Sequence, residues 1–264
     1  MPHNPPYDQD VARAYDLLVH ASRDAEADET EIGFLRWAFE EVAERGVRDV
    51  LDIGCGSGYW MLPLARLDYA LTGIDHSAPM LDLCYQRLRA AGLSAELHRM
   101  GMLSLDYEES FDVALCTTSI LCYLPDAEAI VEMLRKLWRA LRPGGLLVIE
   151  NANLCAQWYC QDEPYHGKRS GGGMEIDYTE RHTYEDFTSI YHIFLDAVVR
   201  EGGRSYEVHS EEVLRAMTVG EVTAHLEAVD FDRIAAYPAF DLSLAGETSS
   251  DRMILLALRP DARG

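Results

Sequence analysis

The sequence predicts an α/β protein built on a mostly parallel sheet, and three observations carry that prediction. Residues 50–58 read VLDIGCGSG, branched aliphatics running into glycines at 54, 56 and 58. Such a run suits a buried parallel strand and a tight turn into a helix whose free N–H groups face a ligand. Some 17 residues past Gly58 a second apolar run, ALTGI, ends in Asp75. An acid at that strand end can accept hydrogen bonds from both ribose hydroxyls of a nucleoside. Further strand-length runs at 111–116 and 146–150 flank a helical pattern, as strand–helix alternation requires.

In chain order, the proline-rich stretch 1–6 is expected to be loose. Helices are expected at 8–22 and 28–45 from apolar spacing. After the first strand a helix is expected over 57–66, with Pro63 in its first half. Ser77 reads as the N-cap of a helix over 78–91 that Gly92 closes. Residues 95–99 and 111–116 read as strands. The amphipathic helix 126–141 is ended by Pro143-Gly144-Gly145 before a strand at 146–150. Residues 167–173 hold four glycines with Lys168 and Arg169, a composition suited to a mobile loop or lid. Three antiparallel strands are expected at 174–183, 189–199 and 204–210, with Glu201-Gly202-Gly203 as a hairpin turn. A helix at 218–229 and strands at 232–237 and 253–258 complete the chain.

The 264 residues suffice for one well-packed domain with an inserted layer. Acidic residues outnumber basic ones 45 to 23, a net charge of −22, which repels phosphate backbones and anionic membranes and speaks against nucleic acid as a partner. Lys136 and Lys168 are the only lysines. No apolar stretch is long enough to span a bilayer, and the first residues lack a signal-peptide pattern. Six cysteines form no CxxC pair, which suits buried free thiols in a cytoplasmic setting. The scattered histidines suggest no metal site.

LDIGCGSG followed by LTGIDHS, with LRPGG at 141–145, resembles the class I S-adenosylmethionine methyltransferases. The resemblance is close over residues 8–151 and one of layout beyond. It implies a Rossmann-like seven-stranded methyltransferase sheet (47–151 and 211–264), N-terminal cap helices (1–46), and an inserted lid and antiparallel β layer (152–210) roofing the substrate. It further implies S-adenosylmethionine as cofactor. Gly54, Gly56 and Gly58 would floor its methionine part, flanked by Asp52 and Cys55. Asp75, with His76 beside it, would hold the ribose, and Met80 would pack near the adenine or ribose. Tyr15, in AYDLL, would lie near the methionine carboxylate. Relatives often carry an acid that binds the adenine amino group; here Gly101-Met102 stand at that place, leaving the Met102 backbone to contact the ring.

Thr117 and Tyr123 follow the fourth strand, where the methyl group would be presented. Methyl transfer from a sulfonium mainly needs alignment, plus a base if the nucleophile must lose a proton. Tyr123, Glu150 and His182 are the candidate bases. The resemblance points to a small-molecule acceptor methylated at an amine nitrogen, with Lys168 and Arg169 available for an anionic group on it. O- or C-methylation of a natural-product scaffold, and attack on the cofactor's aminobutyrate chain releasing methylthioadenosine, stay open. So does a monomer or a homodimer.

Overall fold

A computed structural model describes residues 7–19, 25–155 and 163–261. Its larger sheet begins with β1 (Asp49–Ile53), β2 (Ala70–Asp75), β3 (Glu96–Arg99), β4 (Phe111–Cys116) and β5 (Leu141–Ala152). A second sheet follows in the chain, from β6 (Tyr165–Gly171), β7 (Met174–Glu185), β8 (Ile190–Glu201) and β9 (Arg204–Arg215). β10 (Asp232–Tyr237) and β11 (Arg252–Leu258) then return to the first sheet, which has the order β10-β11-β5-β4-β1-β2-β3. β1 to β5 pair in parallel, and β11 runs antiparallel to both its neighbours. The α/β, Rossmann-like architecture expected from the sequence is the one observed.

Every residue of β4 is buried, so both sheet faces need covering. Helix α5 (Ala127–Ala140) supplies one cover, burying Ile130, Met133, Leu134 and Leu137 at helical spacing. Asp126 caps it, its carboxylate accepting from Ala129 N at 2.9 Å. Helix α4 (Ala78–Ala90) is capped by Ser77 as the sequence suggests. Helix α3 is only Met61–Ala65, because the glycine turn extends to residue 60. Pro63 sits in its first turn, where a missing N–H breaks no internal bond.

The N-terminal helices are α1 (Gln9–Val19) and α2 (Ala25–Trp37). The second widens into a π-helical turn over Ala38–Val42 and so stops short of the expected residue 45. Residues 20–22 of the first expected helix, like 1–6, lie outside the described residues.

The inserted layer departs most from the sequence reading. It has four strands in the order β6-β7-β8-β9. The glycine-rich stretch 167–173, expected as a mobile loop, forms most of β6 and the turn into β7. Gly167 is required by packing: a Cβ there would stand 2.4 Å from the Tyr178 ring. β9 also runs on to Arg215, past the expected end at 210, because β8 pairs with it along its whole length. Val11 and Ala14 of α1 pack against Ile176, Tyr178, Ala197, Val199 and Val208, while Tyr191 and Leu214 join the main core, so the layer is held to the rest at both places.

One ionic cluster joins the sheet to its surroundings. Asp112, almost fully buried, accepts from the Arg48 and Asp49 backbone N–H groups at 2.9 and 3.0 Å. It also pairs with Arg45 at 2.7 Å and Arg142 at 2.9 Å. Burial alone would raise its pKa, but these donors outweigh burial and hold the carboxyl below its ordinary 3.8. A group so depressed stabilises the fold above that ordinary value and loses its contribution as pH falls through the folded one. Asp112→Ala is expected to cost about 3–5 kcal/mol at neutral pH. In urea melts the gap to the unaltered protein should narrow as the pH drops below 3.8.

Candidate active site

From β1 the chain steps outward through β2 to β3, then returns to β4 on the other side of β1. That reversal opens a crevice at the carboxyl ends of β1 and β4, where open α/β sheets bind ligands. A cavity of about 1000 Å³ lies there, bounded also by the start of α1 and by β9. Into it the fold brings Tyr15 from α1, Asp52, Gly54, Cys55 and Gly56 from the glycine turn, and Asp75, His76 and Met80 after β2. Met102, Thr117 and Tyr123 complete the predicted residues found on its wall.

The glycine turn is shaped for close approach. Gly54 has φ +67°, and a Cβ there would lie 2.3 Å from Ile120 Cδ1. Gly56 N donates to Asp75 Oδ2 at 3.0 Å, and Ser77 N donates to Asp75 Oδ1 at 2.7 Å. Two backbone donors thus fix the Asp75 carboxylate while leaving lone pairs for ligand hydroxyls. Asp52 is 2% exposed, and its Oδ2 is buried without a hydrogen-bond partner. Burial, with Asp75 nearby, pushes its pKa up to about 8. An orphaned buried carboxylate oxygen on a cavity wall asks for a cationic group. The residues present therefore fit S-adenosylmethionine, with an amino group for Asp52 and a ribose for Asp75.

Three predicted residues lie off the cavity wall. Gly58, at φ +90°, is required by packing, since a Cβ would stand 2.7 Å from Cys84 Sγ. Glu150 is buried and accepts from Thr118 N at 2.5 Å, with Arg252 Nε 3.6 Å away. Its carboxylate is committed to holding the turn after β4, where Thr118 and Ser119 both have positive φ. His182 lies on the roof, its Nδ1 2.6 Å from the Tyr191 hydroxyl and its Nε2 against Glu180. Both ring nitrogens are thereby engaged. Lys168 and Arg169 stand on β6, at the opposite edge of the roof from β9, and Lys168 pairs with Asp177 at 2.9 Å. The aromatic and thiol-bearing stretch 156–162, with Tyr159 and Cys160, lies outside the described residues.

Tyr123 reaches the cavity as a donor. Its hydroxyl donates to Glu212 Oε2 at 2.9 Å, and the Tyr7 hydroxyl donates to Glu212 Oε1 at 2.5 Å. The two hydroxyls are 3.4 Å apart. Burial first, then the adjoining phenol and Glu212, raise the Tyr7 pKa well above its ordinary value; burial and Glu212 do the same for Tyr123. Neither phenol is a base near neutrality, so the expected base role of Tyr123 is physically disfavoured.

Sequence reasoning missed Glu212 and Tyr7. One signal was available. In β9 the face shared by Val208 and Leu214 is buried, and Glu212 falls on that same alternation. A carboxylate at an inward position needs a reason.

The cap is fastened beside these groups. Ser57 Oγ donates to Asp16 Oδ1 at 2.6 Å, Arg87 pairs with the same carboxylate, and Ser77 Oγ donates to the Tyr7 carbonyl at 2.8 Å.

Two predictions follow from this geometry. Gly54→Ala must displace Ile120 and abandon a left-handed backbone, so cofactor affinity in calorimetry should fall by about 1–3 kcal/mol or more. For Asp52 the unfolded chain ionises near 3.8 and the folded one near 8, so rising pH across that window destabilises the ligand-free protein. Asp52→Asn should therefore raise its melting temperature at pH 7, by about 2–4 °C per kcal/mol relieved, while weakening cofactor binding.

Residues 50–145 match the methyltransferase domain family. Glycine N-methyltransferase of Rattus norvegicus is 26% identical over 159 residues, covering 55% of this chain and 53% of that protein. Demethylmenaquinone methyltransferase of Deinococcus radiodurans is 32% identical over 142 residues, covering 53% and 56%. The chain thus spans about half the length of the curated relatives it matches. Among solved structures, an S-adenosylmethionine-dependent methyltransferase from Clostridium acetobutylicum superposes with a TM-score of 0.78 at 18% identity, over 94% of this chain and 97% of that one. The sugar N-methyltransferase KedS8 from Streptoalloteichus superposes with a TM-score of 0.73 at 18% identity, over 99% and 98%. Residues 50–145 thus match a methyltransferase domain, and the chain shares the fold of solved S-adenosylmethionine-dependent methyltransferases.

Proposed function

We propose that this chain transfers a methyl group from S-adenosylmethionine to an amine nitrogen of a small molecule. The observation that carries the proposal is Glu212, a carboxylate held by two phenols in the cavity that the glycine turn also lines. Bound there, the cofactor supplies a methyl group on a positively charged sulfur, whose departure as a thioether needs no acid. The nucleophile must instead present a free lone pair and shed a proton, and Glu212 is placed to take that proton. Tyr7 and Tyr123 orient the carboxylate and keep their own protons. Asp52, Asp75, Gly54 and Gly56 bind the cofactor, Tyr15 and Met80 pack against it, and the Met102 and Thr117 segments border it. Glu150 acts at one remove, through the turn carrying Thr117 and Thr118.

The roof of β6–β9 and α1 encloses the acceptor and excludes water. A glycine N-methyltransferase among the relatives and sugar N-methyltransferases among the structural neighbours support nitrogen as the atom and a small molecule as the acceptor.

The test is mass spectrometry of the protein incubated with S-adenosylmethionine and a pool of amines, amino acids and amino sugars. S-adenosylhomocysteine together with a methylated amine is the expected result; methylthioadenosine without a methylated acceptor overturns the proposal. With the acceptor in hand, Glu212→Gln should lower kcat by about 100-fold. Tyr123→Phe should lower it less, since Tyr7 still holds the carboxylate, and cofactor affinity should stay within about two- to threefold in both.

A further inference from the structure

We propose that the acceptor is a cationic amine without phosphate, recognised as an ammonium by a cage of Tyr7, Tyr15, Tyr123 and Glu212. This rests on the amine-methylation reading and narrows it.

The cage has the two components that ammonium recognition needs. Glu212 accepts one phenol on each oxygen, and a carboxylate oxygen has a second lone pair to offer a ligand N–H. The Tyr7 and Tyr15 rings lie with centroids 5.3 Å apart at 41°, an angled pair rather than a flat stack. The Tyr123 hydroxyl meets that of Tyr7 at 3.4 Å. All three tyrosines and Glu212 are on the cavity wall. Aromatic rings beside a carboxylate attract a desolvated cation. Burial raises the pKa of all three phenols, Glu212 adding to the effect, which reports a site where further negative charge is disfavoured.

The rest of the wall gives a phosphate no partner. Asp8, Asp52, Asp75 and Glu211 also line the cavity, and no lysine or arginine does among the described residues. The lining histidines face acids: His76 Nδ1 is 3.5 Å from Asp75, His209 Nδ1 is 2.6 Å from Asp196, and His192 lies 3.4 Å from both Glu185 and Glu211. A phosphate-bearing acceptor would bring two further negative charges toward these carboxylates, and like charges at close quarters cost several kcal/mol. The same field draws a small cation inward.

The test uses probes that need no knowledge of the natural acceptor. The protein saturated with S-adenosylhomocysteine is titrated with tetramethylammonium in a calorimeter, alone and in the presence of inorganic pyrophosphate. Tetramethylammonium should bind, pyrophosphate should not displace it, and Glu212→Gln should weaken binding about tenfold or more while retaining S-adenosylhomocysteine. Absence of tetramethylammonium binding, displacement by pyrophosphate, or unchanged affinity in a folded Glu212→Gln protein would overturn the cage. If that variant fails to fold, the pyrophosphate competition on the unaltered protein still decides. The methyltransferase reading stands or falls separately: it fails if S-adenosylhomocysteine does not bind, whereas binding of S-adenosylhomocysteine with rejection of tetramethylammonium sinks the cage alone.

Discussion

The grip of Glu212 on Tyr7 and Tyr123 is the interaction on which the cavity depends. It joins the second sheet, the segment leading into α1, and the turn after β4. A buried carboxylate without partners is costly, whereas one given two phenol donors is tolerable and rigid. The phenols benefit in turn, since each buried hydroxyl finds an acceptor. The apolar contact of α1 with the roof, through Val11 and Ala14, supplies adhesion; the polar grip supplies position.

Beneath it the sheet does what its topology requires. β1 and β4 end side by side because the chain reverses direction across the sheet there, and both loops leave at the same rim. The turn after β4 is strained, with Thr118 and Ser119 at φ 55° and 58°. Such backbone persists only where surroundings over-determine it. Glu150 does so twice, its carboxylate accepting Thr118 N and its carbonyl accepting Ser119 N at 3.0 Å, while Ala152 N donates to Ser119 Oγ at 2.8 Å. A carboxylate that seems poised for chemistry in the sequence is thus a brace for the residues that border the cavity.

Charge has two distinct uses in the molecule. At the base of the sheet Asp112 collects two arginines and two backbone donors and stays ionised. In the crevice, Asp52 has an orphaned oxygen, and burial disfavours its charge. The first arrangement is complete without a ligand. The second leaves an acceptor oxygen unpartnered on the cavity wall.

The sequence by itself determined the strand and glycine turn at 50–58, the acid ending β2, the Ser77-capped helix α4 and the amphipathic helix α5. These are written in local signals: aliphatic runs, glycine spacing, a serine before a helix, an amphipathic period. It misjudged 167–173, because Gly167 is there to clear the Tyr178 ring across a hairpin, a contact made by the partner strand, while Gly172 and Gly173 form the tight turn between the two strands. It also named Glu150 and His182, which the structure pairs with Thr118, Tyr191 and Glu180 away from the cavity wall. Only the tertiary structure decided where the carboxylate of the site comes from. Tyr7 and Glu212 lie 205 residues apart in the chain, and Tyr123 and Glu212 lie 89 apart. No local period encodes such a meeting; it exists because β9 pairs with β8 in one register and α1 docks beneath them, which fixes the face and height at which Glu212 enters the cavity.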